Sequence, residues 1–187
     1  MGNHNRILSV SSLENDVLKK AFINKHHYDD YSRLGDRYFQ ENNLEQAFIY
    51  YQKALRSKVE ILGEYHLSTA KSYHDLASFY LAGEVFEMAQ MFFESALSIR
   101  ENLLEFNSLE LANSYSHLGL CHYYLFNYRE AHHYMEKALK IKEPMLGDSD
   151  QKLEVLRKNL KDVEKALSEN RAQSFLSKFY RFITLQW

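Results

Sequence analysis

Proline and cysteine are almost missing from this chain, with one of each (Pro144 and Cys121) and only six glycines in 187 residues. So few breakers leave long helices uninterrupted, and no strand-like alternation bounded by turns appears anywhere. A single cysteine excludes an internal disulfide framework and suits a reducing, cytoplasmic compartment. An excess of one charge is missing too: 23 basic and 25 acidic residues are interspersed, for a net charge of −2. That balance argues against a nucleic-acid binder, which would carry a basic stripe. No apolar core of sufficient length follows the N-terminus, so a secretory signal is not expected, and Arg6 stands where a myristoylation motif after Gly2 wants Ser or Thr.

The usual signatures of catalysis are absent as well. There is no His-Glu-x-x-His pair, Gly-rich phosphate loop, Gly-x-Ser-x-Gly elbow or pair of cysteine ligands. Nine histidines raise the question of a metal. His26-His27 and His132-His133 are neighbours in sequence and diverge on a helix, as do His117 and His122. His74 and His117 could approach each other on stacked helices, but no carboxylate or cysteine is placed to complete a site. We therefore expect no enzyme, no cofactor and no metal.

What the chain has in abundance is a period. Gly35, Ala77 and Gly119 recur every 42 residues, and so do Ala47, Ala89 and Ala131, Ala54, Ala96 and Ala138, Leu34, Leu76 and Leu118, and Tyr31, Tyr73 and Tyr115. Five registers in three copies mark a repeat array. Tyr, Leu and the small residue share one stripe of a first helix. The two alanines flank a bulky residue, Tyr51, Phe93 or Met135, on a second helix. Small residues let the helix axes approach and large ones fill the space beside them. One such pair cannot bury both faces, so pairs must stack.

The expected architecture is all-α, a right-handed superhelical α-solenoid of antiparallel helix pairs. Residues 1–28 form a polar segment and an N-terminal capping helix opened by the capping box Ser11-Ser12-Leu13-Glu14. Three repeats follow over 29–148, at about 29–66, 67–108 and 109–148. First helices are expected near 29–41, 67–82 and 109–125, and second helices near 44–62, 86–104 and 128–146, the last kinked or shortened by Pro144. Residues 149–187 hold a capping helix to about Ser168 and an aromatic-rich terminal helix. At the repeat register the capping helix keeps only Leu160 of the packing residues, as the end of a solenoid should.

The aromatic tail, with Phe175, Phe179, Phe182 and Trp187, has three readings. It pairs with the cap and buries its rings, it forms a sticky surface for self-association or a partner, or it lies on a membrane. It is too short and too charged to span a bilayer.

The run Tyr31-Leu34-Gly35-Tyr38-Ala47-Tyr51-Ala54, and Tyr73-Leu76-Ala77-Tyr80-Ala89-Phe93-Ala96 after it, resembles the tetratricopeptide repeat. The third copy departs from it at His122 and Met135. The 42-residue spacing and the turn Leu62-Gly63-Glu64-Tyr65-His66 are similar to the subtype found in kinesin light chains. The resemblance covers about residues 29–167. It implies a protein-binding scaffold whose first helices line a concave groove. Carried over register by register, the groove residues are Ser32, Arg33, Asp36, Lys71, His74, Asp75, Ser78, Asn113, Ser116, His117, Leu120 and Tyr123, while Phe39, Leu81 and Tyr124 at the same face are expected to pack between helices. The carboxylate clamp of chaperone-binding members is matched only by Lys71 and Asn113, and the Asn-rich groove of the kinesin subtype is largely replaced by Ser, His and Asp.

The leading expectation is a non-enzymatic adaptor holding a peptide or protein segment in that groove. The alternatives are a dedicated chaperone for a secreted client, and a self-associating or membrane-docked protein acting through the aromatic tail.

Overall fold

A computed structural model describes residues 29–147 and 150–184, with side chains through Asn170 and at Gln173. Seven α-helices and no strand are found among the described residues. They are α1 (29–40), α2 (Leu44–Leu62), α3 (Leu67–Ala82), α4 (Phe86–Leu103), α5 (Leu109–Tyr124), α6 (Tyr128–Lys142) and α7 (Gln151–Thr184). The fold is an all-α helical repeat. The chain divides into two compact units, Met1–Phe79 and Tyr80–Trp187. The expected N-terminal capping helix lies outside the described residues.

The helix ends follow local chemistry. The side chain of Asn43 caps α2 by accepting from the N–H of Gln46, and Ser108 caps α5 by accepting from Leu111. Between the helices of each pair the chain turns through a left-handed residue: Asn42 (φ 57), Glu84 (φ 59) and Phe126 (φ 62). In all three the following N–H donates to a carbonyl five residues back, as in Asn43 to Tyr38 and Asn127 to His122. These residues again lie 42 apart, so the turn is as periodic as the core, although none of them is glycine.

The two units are packed by the same rule. In the first, Ala47 and Ala54 are fully buried around Tyr51, and a Cβ on Gly35 would sit 2.7 Å from the Tyr51 ring. In the second, Ala131 and Ala138 flank Met135, and a Cβ on Gly119 would sit 2.6 Å from Met135 Cγ and 3.2 Å from the Ala131 carbonyl. Glycine is required at both places because the second helix already occupies that space. Phe93, Leu118 and Met135 are wholly buried, contributing about 1.5–3 kcal/mol each.

The last second helix is shortened by Pro144, which cannot continue the backbone ladder, and stops at Lys142. One expectation changes at the C-terminal end. The capping and terminal helices, expected as separate elements, are one 34-residue helix, α7. No Gly or Pro stands between Ser168 and Arg171 to break it. It packs on α6, and Leu153, Leu156 and Val163 in its first half are buried. The side chains of Phe175, Phe179 and Phe182, and the whole of Trp187, lie outside the described residues.

Candidate functional site

The first-helix residues of unit 1 form a polar, internally paired surface on α1 and α3. Ser32 is buried and accepts a hydrogen bond of 3.0 Å from Lys58 Nζ, which reaches across from α2. Asp36 accepts from the Tyr51 hydroxyl at 2.9 Å. Lys71 pairs with Asp75 at 2.7 Å, and Ser78 donates to the carbonyl of His74. Arg33 is exposed and pairs with Asp30. Phe39 packs edge-on against Phe79, as its place between helices requires.

Lys58 is only 2% exposed. Burial holds its ammonium below the usual lysine range, as does nearby Lys71, while Asp75, Asp29 and Asp36 pull it back up. Burial also raises the Asp75 carboxyl, against the pull of Lys71. The unit thus offsets part of the burial cost of this cation with its own carboxylates.

In unit 2 the corresponding face is open. Asn113, Ser116, His117 and Leu120 of α5 line a cleft of about 440 Å³, closed on the other side by Lys142 and by α7 through Gln151, Lys152, Val155, Leu156 and Asn159. Four residues assigned to the groove are therefore brought together. Tyr123 is not among them; it belongs to a cluster of rings with Tyr124 and Tyr128 at the turn. Tyr124 stacks on Phe86 with centroids 4.6 Å apart.

Inside the cleft, Lys142 Nζ donates to Ser116 Oγ at 2.9 Å, and Ser116 Oγ donates in turn to the Ala112 carbonyl. His117 stacks on Phe93 and donates from Nδ1 to the Asn113 carbonyl at 2.7 Å, which fixes its tautomer. Burial pushes the His117 pKa down and the cations Lys142 and Arg100 push it further, against that hydrogen bond. Lys142 is 5% exposed and also held low, first by burial and then by Lys152, with Asp150 opposing. Cys121 is buried and its thiol is pushed up to about 12, so it is an inert packing group. Among the described residues no group of three or more His, Cys, Asp or Glu could hold a metal ion, and no helix is long and apolar enough to cross a membrane.

The residues that sequence reasoning missed are the cations. Lys58, Arg100 and Lys142 lie 42 residues apart near the ends of the three second helices, and all three are buried. Arg100 donates to Ser114 of α5. The signal was present in the period, but a basic residue close to a helix C-terminus reads as a solvated dipole partner. The residues of α7 that close the cleft follow no repeat register, so periodicity could not have found them.

Comparison with known proteins agrees with this architecture. The tetratricopeptide repeat profile matches residues 31–102 and again 76–143. No curated protein matches the sequence as a relative. Among solved structures, BtubC (BKLC) from P. vanneervenii superposes with a TM-score of 0.69 at 23% identity, over 85% of this chain and 64% of that one. A kinesin light chain protein of Podosopora anserina with nearly identical TPR-like repeats gives 0.70 at 18% identity, over 78% and 69%. The first TPR of Spaghetti (RPAP3), bound to the HSP90 peptide SRMEEVD, gives 0.57 at 18%, over 75% and 93%. At these identities the structural likeness speaks for the fold. The profile spans well over half of the residues, and the chain belongs to the tetratricopeptide repeat family.

Proposed function

We propose that this protein is an interaction scaffold that docks a segment of another protein in the cleft of its second unit, between α5 and α7. The observation that carries the reading is the cleft itself. It holds about 440 Å³, enough for a few side chains, and combines an apolar wall (Leu120, Val155, Leu156) with amide and hydroxyl groups from Asn113, Ser116 and Asn159. Such a lining anchors an apolar side chain while hydrogen-bonding the backbone beside it. Val155, 51% exposed, adds apolar surface that no described neighbour covers. The neighbour bound to an HSP90 peptide supports a peptide as the kind of occupant this family's fold can accept.

The test is selection of binders from a random peptide library on the intact chain, followed by affinity measurement on two variants. Val155→Glu places a charge in the apolar wall at an exposed site and should weaken selected peptides by about tenfold or more. Arg56→Glu, on the solvent side of α2, should leave them unchanged. Equal affinities for the intact chain and Val155→Glu would end the proposal.

A further inference from the structure

The cleft holds a buried cation that makes no ion pair with a described residue. Lys142 is 95% buried by its 5% exposure, yet no carboxylate of the described residues lies within 4.0 Å of its Nζ, and its one hydrogen-bond partner is the Ser116 hydroxyl. The charged groups that act on it are a second lysine, Lys152, which disfavours its charge, and Asp150, which favours it. Asp150 is already committed: its Oδ1 accepts from the N–H groups of Lys152 and Leu153 and caps α7. No acidic residue among the described ones lines the cleft. Buried charges are normally paired, since the desolvation cost is otherwise unrecovered. Here two ammonium groups converge on one opening, offset at Lys142 by Asp150 alone among the described residues.

We propose that the segment docked in this cleft carries a phosphorylated serine or threonine, whose phosphate sits between Lys142 and Lys152 while a neighbouring apolar side chain rests on Leu120 and Val155. The proposal rests on the docking reading above and names the chemistry of the docked segment. Three features select phosphate over a carboxylate. The lining charge is two positive, and a phosphate monoester carries about −1.5 to −2 at neutral pH. The basic groups are lysines, which bind phosphate as point charges. Asn113, Gln151 and Asn159 add amide donors for the remaining phosphate oxygens. A nucleotide is a poorer fit, since no aromatic ring lines the cleft and the imidazole of His117 is already stacked on Phe93.

The experiment uses the full chain and three degenerate nonapeptide pools, each with one fixed leucine and a central Ser, Glu or phosphoserine, read by fluorescence anisotropy. The phosphoserine pool should bind about tenfold or more tighter than the Glu pool. Lys142→Met and Lys152→Gln should each bring the pools to within about threefold, and Lys142→Arg, which keeps the charge, should retain the preference even if the methionine variant misfolds. If the Glu pool binds as tightly as the phosphoserine pool, the phosphate assignment is overturned. If all three pools bind alike and all weaken with Val155→Glu, docking stands and the phosphate falls. If no pool responds to Val155→Glu, both fall together.

Discussion

In the first unit Lys58 buries its ammonium against Ser32, and in the second, two repeats later, Lys142 does the same against Ser116. The bonds are alike, at 3.0 and 2.9 Å. Their surroundings differ in the number of carboxylates that offset burial. Lys58 lies within reach of Asp29, Asp36 and Asp75. In the second unit the registers of Asp29 and Asp36 are filled by Asn113 and Leu120, and the register after Asp75 by His117. One repeat framework thus builds a cation offset by three carboxylates in the first unit and one offset by Asp150 alone among the described residues in the second. The framework is a packing device, and the charges placed on it decide whether the site is closed or open.

The largest effect should come from breaking the framework under the open site. Gly119→Val drives a side chain into Met135 and the Ala131 backbone less than one turn from Ser116, and should cost about 3 kcal/mol. Chemical denaturation should show it, with loss of peptide binding in parallel. Retained stability would mean that α5 and α6 can separate, contrary to the close approach described above.

Next in size is the contrast between the two lysines. Lys58→Met removes a cation from among three carboxylates and should destabilise by about 1–3 kcal/mol. Lys142→Met removes a cation with no carboxylate at ion-pairing distance and should leave stability unchanged or raise it by up to about 1 kcal/mol. Equal losses in denaturant melts would show that the two sites are electrostatically equivalent and remove the basis of the comparison.

Much of this was readable in the chain and some was not. The helix bounds, the alanine and glycine contacts and the face of α5 follow from the 42-residue period, because close packing forces small residues to recur wherever the helices touch. The buried cations also recur, yet composition alone ranks lysine as exposed, and only the three-dimensional path of the Lys58 and Lys142 stems reveals that they cross to the first helix. The far wall of the cleft comes from α7, which has left the repeat register. Its continuity past Ser168 depended on the absence of a stop signal, a weaker cue than the presence of one.

A smaller and more specific change would convert one site into the other. Asn113→Asp is nearly isosteric and restores at α5 the carboxylate that Asp29 supplies to unit 1. It should stabilise the second unit by about 0.5–1 kcal/mol at low salt, and the gain should shrink with added salt. It should also compete with any anionic ligand. An Asn113→Asp protein that binds anionic peptides as well as the parent would show that Lys142 is not their partner.

The smallest effect separates the units by pH. Burial holds the pKa of His117 and of His122 below the ordinary histidine value, and His122 Nδ1 has no hydrogen-bond partner among the described residues. For a base whose folded pKa is depressed, the unfolded chain takes up the proton first. The second unit should therefore hold its full stability above about pH 6.5 and lose part of it as pH falls through the window below that value. Asp75 works the other way. Burial raises its folded pKa, so acidification relieves a buried charge in the first unit over the window that opens above about pH 4. Hydrogen exchange between pH 7.5 and 5, corrected for intrinsic rates, should show protection falling in α5 and α6 but holding or rising in α2 and the first part of α3. His122→Phe, which keeps a ring against Tyr134 and removes the orphaned nitrogen, should flatten the loss in α5. A uniform loss across both units would trace the acid response to some group other than these three.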